Sequence, residues 1–271
     1  MTNDDAMQGL LFGSAQDVVA DDVATRELRV LTLNVQGAPA TRRDDIVEWL
    51  YASEHNVLVL TEVRTNDSGN RLIQELESSG FRTVLTPAGT DDRYRSIIAT
   101  KGYEPQPVKA DFSTSRLVMA RLTTHFGLLD VAGLYSVTNG MSLSSSLARR
   151  DFQKHVLDAL TQHRARHAGV PFLLTGDLNV LEPGHQPAAN DFEEHDYAFY
   201  KGLLGLRLVD AYRQVHPDGT DLSWYGPSGG QRLDHTLVDE SLSRRLADCG
   251  YAHDVRTRRI SDHSAMTALL K

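Results

Sequence analysis

The stretch "PFLLTGDLNVLEP", residues 171–183, decides how this sequence is interpreted. A short apolar run, typical of a buried strand, leads directly into Gly176, Asp177 and Asn179. Glycine, aspartate and asparagine all favour turns, so this segment could be an ordinary turn. Alternatively, the strand end offers an acid and an amide, two residues apart, to a site at the edge of a sheet.

Polar residues interrupt or follow other apolar runs in the same way. Asn34 ends "LRVLTLN" and Glu62 ends "VLVLTE". Asp234 lies within "RLDHTLV", and Asp262 and His263 precede the last apolar run. A buried carboxylate is costly unless it is paired, hydrogen-bonded or bound to a metal. Each residue alone could belong to a turn, a cap or an ion pair. Their recurrence at several strand ends favours one shared site.

The spacing of apolar residues predicts a mixed α/β fold. The predicted strands are residues 28–35, 56–63, 81–86, 94–100, 116–123, 128–135, 171–176, 221–226, 231–238 and about 263–270. The predicted helices are residues 41–54, 70–80, about 145–168 and about 195–205. No helix separates the strands between residues 81 and 135, so we expect antiparallel pairing there. The pattern predicts sheets packed on each other with helices outside.

The composition favours a protein without disulfides. The chain has 271 residues and a formal net charge of −8, and Cys249 is its single cysteine. One cysteine excludes a disulfide within the chain and fits a reducing compartment. No apolar run is long enough to span a membrane, and the acidic N-terminus lacks the pattern of a secretory signal. We therefore expect a cytoplasmic protein with an acidic tail, residues 1–26, and a single folded domain, residues 27–271.

Seven segments occur in the order typical of the endonuclease/exonuclease/phosphatase superfamily, and the set resembles its exonuclease III and AP-endonuclease branch. The segments are "LNVQG" (33–37), "LTEVR" (60–64), "SRLVMARL" (115–122), "GLYSVTNG" (133–140), "TGDLNV" (175–180), "QRLDHTLV" (231–238) and "SDHSAM" (261–266). The resemblance covers about residues 28–271. It implies a four-layered α/β sandwich, with two packed and largely antiparallel sheets flanked by helices, and the activity of a metal-dependent hydrolase of phosphate esters.

The resemblance implies a metal site built from oxygen ligands. Glu62 would be the main ligand, aided by Asn34 and Asp262. Carboxylate and amide oxygens suit Mg²⁺ or Mn²⁺ rather than zinc.

The resemblance also implies roles for five other residues. Asp177 would orient or deprotonate the attacking water, and Asn179 would hold the phosphate or the nucleophile. His263 would contact a phosphate oxygen while Asp234 bonds its other ring nitrogen, which fixes the tautomer and orientation of the ring. Tyr135 would contact the phosphate or assist the leaving group.

The length of the chain, the order of its segments and the loop 208–235, which resembles that of the exonuclease III branch, favour DNA as the substrate. Arg116 matches a family arginine near the site, and Trp224 and Tyr225 could line a pocket for an abasic sugar. Asn139 is a weaker candidate for a substrate contact, because "YSVTNG" departs from the family pattern. Arg93 and Arg95 could grip phosphates or could belong to a solvated loop.

A phosphatase or phosphodiesterase for a small molecule or lipid headgroup is the alternative, because the superfamily covers such substrates and fold alone does not choose among them. The negative net charge favours this alternative, since it argues against binding nucleic acid through bulk charge. A third hypothesis is a catalytically inactive binding module. The presence of the whole candidate set argues against it: Glu62, Asp177, Asp234, Asp262 and His263.

The tail contains a short segment that suggests a protein partner. "QGLLF" resembles the peptide by which bacterial repair proteins bind the sliding clamp, with Gln8 as a hydrogen-bonding residue and Leu11 and Phe12 as apolar anchors. The same residues could instead pack against the folded domain. We expect the protein to be a monomer.

Overall fold

The structure is a computed structural model that describes residues 27–87, 89, 92–138, 142–226 and 229–271. The predicted tail, with the proposed clamp-binding residues Gln8, Leu11 and Phe12, lies outside the described residues, as does Asn139. The boundary predicted at residue 27 therefore stays a prediction. Among the described residues, no helix is long and apolar enough to cross a membrane.

The described residues form fourteen strands and seven helices. The strands are β1 (Leu28–Asn34), β2 (Val57–Arg64), β3 (Arg82–Leu85), β4 (Tyr94–Thr100), β5 (Gln106–Pro107), β6 (Leu117–Thr124), β7 (Gly127–Tyr135), β8 (Phe172–Asp177), β9 (Leu208–Asp210), β10 (Trp224–Gly226), β11 (Gly229–Gln231), β12 (Asp234–Asp239), β13 (Leu246–Ala252) and β14 (Ala265–Leu270). The helices are α1 (Ala40–Ala52), α2 (Asp67–Ser78), α3 (Leu143–Arg166), α4 (Glu194–Gly205), α5 (Ala211–Val215), α6 (Glu240–Ser243) and α7 (Asp254–Thr257).

Two six-stranded sheets contain most of these strands. Their orders are β13-β14-β1-β2-β4-β3 and β5-β6-β7-β8-β12-β9, and β10 and β11 form a separate hairpin. Each large sheet contains one parallel pair, β1 with β2 and β7 with β8, among antiparallel neighbours. Because the carboxyl ends of parallel neighbours lie at one edge of a sheet, Asn34 and the end of β2 lie together, and so do Tyr135 and Asp177.

Three apolar cores hold four layers together. The central core joins the two sheets and includes Val59, Val118 and Leu173. The outer face of the first sheet packs on α1 and α2, and that of the second packs on α3 and α4. The sheets approach closely at Gly133, where an added Cβ would lie 2.7 Å from a methyl of Val59. The predicted four-layered sandwich is therefore confirmed.

Some predicted local features are wrong. The helix predicted from residue 41 begins one residue earlier, at Ala40, because Pro39 precedes it in an extended conformation. The predicted strand 231–238 is two strands, since β11 ends at Gln231 and β12 begins at Asp234. Strand β13 was not predicted, because half of its residues are polar or small and it pairs only with β14.

Candidate active site

The polar ends of strands from both sheets surround one cavity of about 760 Å³. Eight of the predicted site residues line it: Asn34, Glu62, Tyr135, Asp177, Asn179, Trp224, Asp262 and His263. Asp234 lies directly behind His263. Residues as distant in the sequence as Asn34 and His263 therefore share a single pocket, as a shared site requires.

Asp177 lies at the centre of this pocket and is almost fully buried. Gly176 places it there, because a Cβ at residue 176 would lie 2.1 Å from the carbonyl oxygen of Leu134 on the neighbouring strand. The Asp177 carboxylate accepts hydrogen bonds from Asn34 Nδ2 at 2.9 Å and from the Asn179 backbone N–H at 3.1 Å. Burial and the negative charge of Asp234, its cross-strand neighbour, raise the pKa of Asp177 to about 7.

His263 and Asp234 form a buried pair. His263 Nδ1 lies 2.7 Å from Asp234 Oδ2, so the Nδ1–H of the imidazolium donates a hydrogen bond to that carboxylate. Burial alone would lower the pKa of His263, but the charge and hydrogen bond of Asp234 outweigh it and raise the pKa to about 10. The ring is therefore a cation at neutral pH, and its Nε2–H remains for an anionic ligand.

Asn179 is held by an arginine that was not predicted to belong to the site. Its backbone has a φ of +49°, in the left-handed region that asparagine tolerates better than most residues. Its side-chain amide donates to the carbonyl of Ser136 at 3.2 Å. Arg149 donates to the carbonyl of Asn179 and forms an ion pair with Asp196 at 2.7 Å. Arg149 thereby ties α3 and α4 to the loop after β8.

Glu62, Asn34 and Asp262 also line the pocket and can offer oxygen atoms to a ligand. Glu62 has a φ of +55° at a bulge between β2 and β4, which is an unfavourable backbone for a glutamate. Asp262 Oδ1 is buried and has no hydrogen-bond partner among the described residues. A buried, unpaired carboxylate oxygen in the same cavity as a second carboxylate and an amide fits a hard divalent cation.

A second group of side chains could also hold a metal. The ligand atoms of Asp177, Asp234 and His263 all lie within 4.8 Å of one another. However, His263 and Asp234 already bond to each other, and Asp177 already accepts two hydrogen bonds. The set of oxygen atoms around Glu62 is therefore the better match for Mg²⁺, which disfavours imidazole ligands.

The predicted substrate-binding residues are only partly brought together. Trp224 lines the cavity and its indole donates to Asp262 Oδ2 at 3.4 Å. Tyr225 does not line it and is 52% exposed, because successive strand residues point to opposite sides. Its ring packs instead against the guanidinium of Arg256. Arg116 lies beside the site with its guanidinium over the ring of Tyr135.

Two arginine residues are more buried than the sequence indicated. Arg95, a candidate phosphate contact, is buried and donates to Asn70 Oδ1. Arg149, which was not among the predicted site residues, has a side chain only 2% exposed. A helical signal for Arg149 was present, since it precedes the buried residues Val156 and Leu160 by seven and eleven positions. The cavity also includes Tyr94 and the acidic segment 190–193, which carried no local signal.

We expect a bell-shaped dependence of kcat on pH. If Asp177 is a general base, it must lose its proton, so kcat would rise as Asp177 ionises, with a midpoint at or below its pKa of about 7, because a bound cation would favour the carboxylate. His263 loses its positive charge as the pH rises through its pKa of about 10, so kcat should then fall. An Asp234→Asn variant should move the falling limb to lower pH. An alkaline limb that did not move would contradict this assignment.

Comparisons with known proteins agree with the fold. The sequence model of the Endonuclease/Exonuclease/phosphatase family matches residues 31–263. Exodeoxyribonuclease III of Haemophilus influenzae is 25% identical over 273 residues, covering 90% of this chain and 100% of that protein. Recombination repair protein 1 of Drosophila melanogaster is 24% identical over 265 residues, which cover 89% of this chain and 36% of that protein.

Two solved structures are similar over nearly their whole length. The 3′ phosphatase NExo from Neisseria, bound to a product DNA hairpin, has a TM-score of 0.75 and 21% identity. An AP endonuclease from Archaeoglobus fulgidus has the same TM-score and identity. Each match covers 90% of this chain and 99% of the other chain.

Proposed function

The chain belongs to the endonuclease/exonuclease/phosphatase family, and on this premise we propose that it is a Mg²⁺- or Mn²⁺-dependent phosphodiesterase that hydrolyses DNA, of the AP-endonuclease or 3′-exonuclease type. The observation that carries the proposal is the meeting of Asp177, the His263–Asp234 pair and the oxygen atoms around Glu62 in one cavity. The relative from H. influenzae, an exodeoxyribonuclease, supports DNA as the substrate.

The proposed reaction uses a base, a hydrogen-bond donor to the phosphate and a divalent cation. Asp177 accepts the proton of the attacking water, and its raised pKa makes it a stronger base than an ordinary aspartate. His263 donates its Nε2–H to a non-bridging phosphate oxygen, while Asp234 holds the ring in position. A divalent cation bound by Glu62, Asn34 and Asp262 would neutralise charge that develops on the phosphate.

Two neighbouring residues complete the phosphate site in this proposal. Asn179 lies beside Asp177 and would orient the water or the phosphate. Tyr135 keeps its hydroxyl proton, because burial and the charges of Asp177 and Glu62 raise its pKa far above neutral pH. A protonated hydroxyl can donate a hydrogen bond to the departing oxygen, which is the role we propose for it.

The rival is a phosphatase or phosphodiesterase for a small molecule or a lipid headgroup. One observation favours it, since the exposed carboxylate of Glu193 lines the cavity and would repel a second phosphate near the reacting one. Under this hypothesis the cavity would accept a single phosphate group rather than a polymer.

A substrate panel distinguishes the two hypotheses. We expect cleavage of a duplex that carries a stable abasic-site analogue, or removal of nucleotides from a recessed 3′ end, with Mg²⁺ but not with a chelator. A generic phosphomonoester and a lipid headgroup phosphodiester should be poor substrates. Turnover of these small esters without any DNA cleavage would contradict the DNA hypothesis and favour the alternative.

The remaining assignments are proposals of smaller scope. The sliding clamp stays a proposed partner through residues 8–12, and deletion of residues 1–26 should abolish clamp binding while sparing turnover. Clamp binding by the shortened protein would disprove this assignment. A monomeric state and a cytoplasmic location, the latter consistent with a single cysteine, are likewise proposed.

A further inference from the structure

Three arginine residues lie on two tyrosine rings beside the cavity. The guanidinium carbons of Arg93 and Arg64 lie 5.2 Å and 5.9 Å from the ring centre of Tyr94. That of Arg116 lies 4.5 Å from the ring centre of Tyr135. The two rings contact each other edge to face, with centres 6.0 Å apart. We call Arg64, Arg93 and Arg116, with these rings, the cation strip.

The cation strip has no carboxylate partners among the described residues. No ion pair within 4.0 Å involves Arg64, Arg93 or Arg116 in that part of the chain. Other arginine residues do find carboxylates, including Arg43 at 2.7 Å from Glu75 and Arg121 at 2.6 Å from Asp130. Three neighbouring unpaired cations repel one another, and in a chain with a net charge of −8 their grouping is unexpected.

The strip runs from the cavity to the surface. Tyr94 and Tyr135 both line the cavity, together with Asp177 and His263. Arg64 and Arg116 are half-buried, whereas Arg93 is exposed. The guanidinium groups therefore lie next to the cavity, on two rings that form part of its wall. Cation–π contact with a tyrosine limits the rotamers of an arginine. The guanidinium groups are therefore pre-organised to bind an anion.

We infer that the cation strip binds the phosphates of a nucleic-acid strand next to the phosphate that reacts. The inference rests on the proposed function and specifies where the polymer would lie. Guanidinium forks match phosphate oxygens in geometry and charge. Since two guanidinium groups already occupy the ring of Tyr94, the strip would grip the sugar–phosphate backbone rather than stack a base. Sequence-independent binding follows, because backbone phosphates carry no base information.

The salt dependence of DNA binding tests the inference. Each arginine that neutralises a phosphate of duplex DNA contributes about 0.9 to the slope of log affinity against log salt concentration. An Arg64→Gln/Arg93→Gln variant, bound to a labelled duplex in the presence of chelator, should therefore lose about 1.8 from the slope of the wild-type protein. Chelator prevents cleavage, so the readout is binding alone.

A matched control removes two charges elsewhere. Arg82 and Arg207 are exposed, with side-chain exposures of 73% and 76%. An Arg82→Gln/Arg207→Gln variant should keep the wild-type slope and activity. An Arg64→Lys/Arg93→Lys variant should keep the slope but bind DNA more weakly, because an ammonium group lacks the guanidinium fork. Thermal unfolding of each variant establishes that it is folded.

The outcomes separate this inference from the proposed function. A wild-type slope in the Arg64→Gln/Arg93→Gln variant, or an equal loss in the Arg82→Gln/Arg207→Gln control, would overturn the strip even if the enzyme cleaves DNA. A slope that depends on the strip, in a protein that cleaves no DNA in the substrate panel, would overturn the proposed reaction and leave the strip in place.

Discussion

Replacing Asp177 by asparagine is expected to lower kcat by about 10²–10⁴-fold, the usual contribution of a general base. The asparagine Oδ1 can still accept the hydrogen bond from Asn34, although its NH2 group cannot accept the bond from the Asn179 N–H. It cannot take a proton from water. Single-turnover cleavage of the preferred DNA substrate at saturating Mg²⁺ measures the effect, because such conditions report chemistry rather than product release.

The same substitution should not weaken the fold. The raised pKa of Asp177 shows that burial disfavours its charged form, so this carboxylate costs stability as the pH rises from its unfolded value through about 7. An uncharged asparagine removes that cost above neutral pH. The free energy of unfolding, measured with denaturant, should therefore change little in the Asp177→Asn variant, because this gain offsets the lost hydrogen bond from the Asn179 N–H. An exposed control, Asp218→Asn, should change neither quantity.

A variant that lost activity only in proportion to lost stability would contradict the assignment of Asp177 as the base. A variant that kept wild-type kcat would contradict it more directly. Loss of activity with retained stability is typical of functional groups that a fold holds at an energetic cost.

Replacing Glu62 by glutamine is expected to lower activity at limiting Mg²⁺ by about 10²–10³-fold. A bound metal contributes several kcal/mol to the stabilisation of a phosphoryl transition state, and each 1.36 kcal/mol is about tenfold in rate. Raising the Mg²⁺ concentration should restore part of the activity, because Asn34 and Asp262 still offer oxygen atoms. Calorimetric titration with Mn²⁺, carried out without DNA, should show that the Glu62→Gln variant binds the ion more weakly than the wild-type protein does.

Glu54→Gln is a matched control for Glu62→Gln. Glu54 also has a left-handed backbone, with a φ of +56°, but it is exposed and does not line the cavity. Its substitution should leave both the metal affinity and the activity unchanged. Equal Mn²⁺ affinity in the Glu62→Gln variant and the wild-type protein would place the ion elsewhere, and the cluster of Asp177, Asp234 and His263 would then be the next site to test.

Much of the site could be predicted from the sequence because its signal is local. Asn34, Glu62 and Asp177 each follow an apolar run within one strand, so burial and polarity conflict at a visible position. The parallel pairing of β1 with β2 and of β7 with β8 then places two such ends at each sheet edge. The alternation of strands and helices, which is also local, predicted packed sheets with helices outside, and the family resemblance implied their arrangement in four layers.

Other features could not be predicted because they depend on tertiary contacts. Arg149 becomes buried only because α4 supplies Asp196 and the loop after β8 supplies a carbonyl group. The cation strip requires β4 and β7 to bring Tyr94 and Tyr135 into contact across the two sheets. Tyr225 faces away from the cavity because of the register of a short hairpin. No residue pattern within a single segment encodes these contacts.

The position of a bound divalent ion tests the central claim most directly. Crystals of the protein soaked in Mn²⁺ would locate the ion by anomalous scattering. We predict one strong peak in the cavity, coordinated by a carboxylate oxygen of Glu62 and facing Asp177 and His263 across the space for a phosphate. A peak outside this cavity, with none beside Glu62 at saturating Mn²⁺, would contradict the account.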